Sequence, residues 1–167
     1  HSPAQEVVAG TRAQTRRPRL KRMKALLQRV SAASVRVDGD CVGEIGQGLL
    51  VLLGLDKGDD EAAALRMLDK LLAYRVFADA AGRMNCSVSD VGGGILLVSQ
   101  FTLSADTRKG LRPSFSSAMP PAEAEVLYEF TLAQLARRYE HVAAGRFGAD
   151  MQVSLTNDGP VTFLLEV

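Results

Sequence analysis

The chain contains no tryptophan, two cysteines, two histidines and only 5% aromatic residues among its 167 positions. Cys41 and Cys86 are too few for a disulfide framework, and with His1 and His141 as the only imidazoles no Cys/His zinc spacing can be assembled. These scarcities predict a fold that needs no metal and sits in a reducing, cytoplasmic setting. No apolar run approaches the roughly 18 to 20 residues that span a bilayer, and the first residues lack the basic-then-apolar order of a secretion signal. A membrane role is therefore not expected.

What remains is 47% apolar and 23% charged, the composition of one ordinary globular domain. The formal charge of +1 conceals an asymmetry. Residues 1–22 hold Arg12, Arg16, Arg17, Arg19, Lys21 and Arg22 against Glu6, a net +5, which leaves the other 145 residues at net −4. A mildly acidic body argues against broad phosphate-driven binding of nucleic acid but leaves room for a local basic patch. Residues 1–22 carry Pro3 and Pro18 and no periodicity, so they read as a basic, disordered extension, and residues 23–167 as the folded domain.

Short strands divided by glycine turns follow. Residues 24–30 read as a first strand and 34–37 as a second, with Asp38-Gly39 as a tight hairpin into 41–45. Residues 49–53 are apolar without alternation, the mark of a central strand covered on both faces. Leu65, Leu68 and Leu72 recur at helical spacing after Asp59-Asp60-Glu61, predicting a helix over 60–73. A second helix is predicted over 121–139, opened by Pro121, with Tyr128, Leu132, Leu135 and Tyr139 along one side. Residues 74–77 and 95–101 are strand candidates, and 104–119 a polar, basic surface loop. The chain closes with strands 151–156 and 161–165, joined through Asn157-Asp158-Gly159-Pro160, which has the composition of a hairpin turn.

Chemistry is sparse. His141 falls at the end of the second helix, where an imidazolium simply favours the negative terminus, so a Ser-His-Asp or Cys-His arrangement has little support. Gly92-Gly93-Gly94 is followed by no Gly-Lys-Ser or Gly-Lys-Thr, and the other glycines make no dinucleotide fingerprint. Two polar segments interrupt apolar strands: Ser99-Gln100-Phe101-Thr102 and the Asn157 to Pro160 run. At the first, a strand ends in hydroxyls, an amide and backbone N–H groups free to meet a ligand; a strand fraying into a loop gives the same pattern.

Several stretches together resemble one family, the D-aminoacyl-tRNA deacylases: MKALLQRV (23–30), ASVRV (33–37) with Asp38-Gly39, GLLVLLG (48–54), SQFTL (99–103), ADTRK (105–109), RPSFS (112–116), FGADMQVSL (147–155) and NDGPVTFL (157–164). The resemblance covers essentially all of 23–167; the extension before Met23 is its departure. It implies an α/β domain with a strongly curved, barrel-like mixed sheet under two main helices, assembled as a homodimer with no obligatory protein partner and no cofactor. It further implies that Ser99, Gln100, Phe101 and Thr102 line the pocket for the 3′-terminal adenosine of tRNA and its attached amino acid. Gly159 and Pro160, joined by a cis bond, would then project into the partner subunit's site.

The expected reaction is hydrolysis of the ester between a D-amino acid and the terminal ribose. Backbone N–H groups near Phe101 and Thr102 would stabilise the oxyanion. Thr102 has no base near it in sequence, so the substrate's 2′-hydroxyl would assist water and Thr102 would position rather than become acylated. A main-chain wedge at Gly159 and Pro160 would exclude L side chains. Met151 would contact adenine or serve as strand core, and Phe101 would pack beneath the pocket or in the core. Arg108, Lys109 and Arg112 would touch acceptor-stem phosphates. Two rival readings stay open: a small hydrolase with a covalent Thr102 or Ser99, and a non-catalytic nucleic-acid-binding dimer.

Overall fold

One long strand organises the computed structural model, which describes residues 23–167. Strand β1 (Lys24–Val37) is continuous over 14 residues, not the two short strands expected. Asp38 and Gly39 follow with φ of 50° and 82°. Two successive left-handed residues make the hairpin turn whose twist matches that of the flanking strands. The chain returns as β2 (Asp40–Ile45), and β3 (Gly48–Gly54) then pairs with the first half of β1, so β2 and β3 occupy the same edge of β1 in succession.

The remaining strands are β4 (Phe77–Ala78), β5 (Met84–Cys86), β6 (Gly94–Ser99), β7 (Val142–Ala144) and β8 (Gln152–Glu166). The main sheet runs β2-β1-β3-β6-β7, with β8 on the opposite edge of β1. The β3–β6 and β6–β7 pairs are parallel and the others antiparallel, which makes the sheet mixed. It curls until its far strands meet: a Cβ on Gly43 of β2 would stand 2.6 Å from the Ala144 carbonyl oxygen of β7. The sheet is thus nearly closed, as the barrel-like expectation required.

Curling creates two cores. Helices α1 (Glu61–Ala73) and α3 (Pro121–Arg138) cover the convex face, where Leu49, Val51, Leu53, Ile95 and Leu97 pack with Met67, Leu68, Leu71, Tyr128 and Leu135. Inside the curl, Leu50, Leu96 and Val98 meet Val30, Val35 and Ile45. Alternate residues of β3 and β6 therefore serve opposite cores, and each buried Leu, Ile or Val contributes about 1.5–3 kcal/mol. The unalternating 49–53 run is the central strand it was expected to be. Asp60 is the cap of α1 rather than its first residue, accepting from the Ala63 N–H at 2.8 Å. Tyr139 likewise stands just beyond α3.

Other expectations fail for identifiable reasons. Only Phe77 of the 74–77 segment is a strand residue, because pairing partners reach no further than the short β5. A one-turn helix, α2 (Val88–Val91), is held by a reciprocal cap in which Ser87 and Asp90 satisfy each other's backbone N–H. Strand β6 ends at Ser99, so Phe101 is not a strand residue. The C-terminal pair of strands is one strand, β8, antiparallel to β1 along its length; the Asn157 to Pro160 run does not reverse the chain. Among the described residues no helix is long and apolar enough to cross a membrane. The expected disorder of 1–22 lies outside the described residues.

Candidate functional site

The pairing of β6 with β3 ends at Ser99 opposite Leu53, and the Gln100 N–H adds one last bond to the Leu53 carbonyl at 2.8 Å. Beyond it the chain folds over the end of β3 as a 3₁₀ turn, Phe101–Ser104. The Leu103 N–H donates to the Gln100 carbonyl and the Ala105 N–H to the Thr102 carbonyl, both at 3.2 Å. A helical turn leaves its first donors without internal acceptors. Accordingly the Phe101 and Thr102 N–H groups make no hydrogen bond to another described residue.

The side chains around this turn are neutral. Gln100 Nε2 donates to Thr102 Oγ1. Phe101 is 64% exposed and so is not a core residue, with its ring tilted against Phe115 at a centroid distance of 5.2 Å. Met151 precedes β8 rather than opening it, and is half-buried against the inner core beside Val98, with its sulfur over Gly145.

The 105–119 loop forms a wall beside the turn. It is pinched by bridges between Asp106 and Ser114 and between Asp56 and Ala118, and stitched by the Lys57 N–H to Ser117 and the Met119 N–H to Leu55. Arg108 grips the Asp106 carboxylate with two nitrogens at 3.0 and 2.9 Å, holding that carboxyl far below its usual range. Its guanidinium is thus paired within the loop while the side chain stays exposed. Lys109 and Arg112 are exposed and form no ion pair with a described residue.

The second segment is a bulge. Gln28 and Val30 are two positions apart on β1, yet they pair with Thr162 and Asn157, five apart on β8. The extra residues, Asp158, Gly159 and Pro160, leave the ladder and stand exposed. Asn157 clamps the base of the loop, its Oδ1 accepting from the Val161 N–H at 3.1 Å and its Nδ2 donating to Thr162 Oγ1 at 2.9 Å. Arg29 holds the flank: Nε donates to the Asp158 carbonyl at 3.1 Å and one Nη to the Val76 carbonyl at 2.8 Å. The Gly159–Pro160 peptide is cis, and Gly159 has φ +127°, which L side chains rarely adopt. Sequence reasoning missed Arg29 and read Asn157 only as part of a turn.

Within the chain the two segments stay apart, because β1 and β3 lie between β8 and β6, roughly 14 Å at three strand spacings. His141 is no closer to the chemistry. Its carbonyl accepts from the Ile95 N–H at the start of β6, five residues or about 16 Å from Gln100. It lines a separate cleft of about 480 Å³ with Glu44, Gln47 and Glu140. The turn at 101–104 therefore offers two free N–H donors, a hydroxyl and an amide, with no proton acceptor poised on Thr102. An amide cannot take a proton from a threonine hydroxyl whichever way it points, which removes the activation a covalent threonine needs.

The family model described as D-Tyr-tRNA(Tyr) deacylase matches residues 26–166. Proteins named D-aminoacyl-tRNA deacylase from Cellvibrio japonicus and Pseudomonas paraeruginosa are 64% and 66% identical to this chain over 145 residues, covering 87% and 86% of it and 99% of each relative. A solved structure described as a c-Myc DNA unwinding element binding protein superposes with a TM-score of 0.83 at 45% identity, over 86% of this chain and 98% of that one. Another, described as a probable eukaryotic D-amino acid tRNA deacylase, gives 0.77 at 17% identity over 88% and 100%, a likeness of fold.

Proposed function

The chain belongs to the D-Tyr-tRNA(Tyr) deacylase family, and from that premise we propose that it hydrolyses the ester joining a D-amino acid to the 3′-terminal adenosine of tRNA. Such a substrate implies a cytoplasmic setting and no membrane partner. The observation that carries the chemical reading is the pair of N–H groups at Phe101 and Thr102, without an acceptor or a neighbouring general base among the described residues.

In this reading the ester carbonyl oxygen lies against those two donors. Water attacks the carbonyl carbon, the oxyanion that forms is held by the N–H groups, and the C–O bond to the ribose breaks as that oxygen takes up a proton. The neighbouring 2′-hydroxyl relays the proton, since no side chain at the turn is suited to do so. Gln100 and Thr102, already bonded to each other, orient the ribose, with Ser99 behind them. Met151 contacts the adenine edge, and Lys109 and Arg112 meet acceptor-stem phosphates. Arg108, committed to Asp106, shapes the loop instead.

Handedness is selected in trans. Strand β8 pairs only with β1 among the described residues, leaving a free edge 15 residues long with Leu155, Phe163 and Leu164 exposed. Such an edge invites a second copy of the chain. A two-fold partner would present its Gly159 and Pro160 to the neighbour's Thr102, filling the space an L side chain needs and leaving a D side chain directed outward. The test is hydrolysis of matched D- and L-aminoacyl-tRNAs by wild type and by Pro160→Ala, with a third substrate lacking the terminal 2′-hydroxyl. Strong D preference, weakened in the variant, and loss of turnover without the 2′-hydroxyl are expected. Equal wild-type rates for both hands would refute the assignment.

A non-catalytic nucleic-acid-binding dimer is the second reading, favoured by the likeness to the 45%-identical DNA unwinding element binding protein. Deleting residues 1–22 separates the two: full deacylation with unchanged tRNA affinity dismisses binding led by the basic extension.

A further inference from the structure

Gly54 closes β3, and the turn carrying Phe101 and Thr102 lies directly on it. A Cβ added at Gly54 would stand 2.8 Å from Leu103 Cβ, 3.3 Å from Ser104 Oγ and 3.5 Å from the Gln100 carbonyl oxygen. The first of these separations is shorter than real carbon atoms tolerate, and Leu103 Cβ is fixed to the backbone, so it cannot rotate away. Ser104 is buried, its hydroxyl without a partner among the described residues, and has no polar contact to spare for a displaced turn. Gly54 is not among the residues with positive φ, so alanine is permitted there by its own backbone. Only the overlying turn forbids it.

We infer that Gly54 is a positioning residue for the reaction: the missing side chain sets the height at which the 101–104 turn crosses β3, and with it the position of the Phe101 and Thr102 N–H groups against the ester. The inference rests on the deacylase reading of that turn. The Gln100 N–H is tied to Leu53, the residue before Gly54, at 2.8 Å. The turn is therefore anchored at one end and must tilt rather than translate when Gly54 gains a methyl group. A donor moved by a few tenths of an ångström to an ångström costs about 10- to 100-fold in rate. Substrate binding, spread over the adenosine and acceptor stem, should change little.

The test is a double-mutant cycle on D-aminoacyl-tRNA hydrolysis. Gly54→Ala should lower kcat at least tenfold, with KM within about threefold of wild type. Leu103→Gly, which removes the clashing Cβ, should restore kcat in the Gly54→Ala background to the level of Leu103→Gly alone; Leu103→Ala, which keeps that atom, should not. Crystal structures of wild type and Gly54→Ala should show the turn displaced from the end of β3, a readout independent of activity and of whether the variant's lower rate reflects lower stability. Wild-type kcat in Gly54→Ala, an unmoved turn, or equal rescue by both substitutions at Leu103 would overturn the inference. Failure of the deacylase reading would look different, as absence of D-aminoacyl-tRNA hydrolysis in the wild type.

Discussion

If the bulge on β8 selects handedness, the residue that holds it should control the ratio of D to L hydrolysis without touching the ester. Arg29 is that residue. Its guanidinium gives one hydrogen bond to the Asp158 carbonyl and one to the Val76 carbonyl, at 3.1 and 2.8 Å, and stands 3.6 Å from the Asp158 carboxylate. Hydrogen bonds from a charged donor are worth about 1.5–3 kcal/mol each, with the low end appropriate at the exposed Asp158 side. The ion pair, with its carboxylate more than half exposed, adds roughly 0–1 kcal/mol. Arg29→Ala therefore removes about 3–5.5 kcal/mol of interaction around the bulge. At about 1.4 kcal/mol per tenfold, the ratio of D to L rates should fall by at least tenfold. Arg29→Lys, which keeps charge but loses the fork, should fall between. Matched D- and L-tyrosyl-tRNAs, assayed under single-turnover conditions, read the ratio directly. An Arg29→Ala protein that melts cooperatively and keeps wild-type discrimination would refute the idea that this contact fixes the wedge.

Three further outcomes are expected. Burial, reinforced by the neighbouring Asp56 carboxylate, pushes the Asp59 carboxyl up from 3.8 to about 6. The folded state therefore holds that proton more tightly than the unfolded one, and this stabilisation is complete below about pH 3.8 and lost as pH rises toward 6; Asp59→Asn keeps the acceptor used by the Asp56 N–H and should raise Tm at pH 7 by a few degrees but not at pH 4, in paired melts. Tyr128 is 1% exposed and its hydroxyl donates to the Leu97 carbonyl at 3.2 Å, so Tyr128→Phe should cost about 1–2 kcal/mol in urea unfolding, and no loss would show the bond to be without net value. In tRNA binding the slope of log Kd against log salt should be shallow and should drop by about 0.9 for each charge removed at Lys109 or Arg112, whereas a slope unmoved by either substitution would exclude those phosphate contacts.

What was readable in the sequence was local. Asp38-Gly39, the unbroken 49–53 run, Asp60 before a leucine stripe and Pro121 before another each specify their element through neighbours a few residues away. The site failed that test in both halves. Asn157-Asp158-Gly159-Pro160 contains every residue a chain reversal wants, but β1 extends past it and pairs on both sides, so the same composition becomes a bulge in a continuous strand. Phe101 continues the apolar run of 95–98, yet the β3 strand that supports it ends at Gly54, and the chain turns where its partner stops. Arg29 carried no local signal because its partners are 47 and 129 residues away.

The materials of the proposed site are mostly main chain, and that choice has a physical logic. A stereochemical filter must reject a side chain by volume while accepting every side chain of the opposite hand, so it cannot rely on a pocket that fits one of them. A flexible side chain placed as the wedge would move aside at a cost of about 1 kcal/mol, which is less than tenfold in rate. Backbone displaced from a ladder and clamped at its base by both ends of Asn157 cannot move aside without breaking those bonds. An edge strand is the one place in a sheet where such a loop can stand out without burying unpaired backbone groups. The same edge is then available to a second copy of the chain, which would turn the loop from a surface feature into the wall of a neighbour's site.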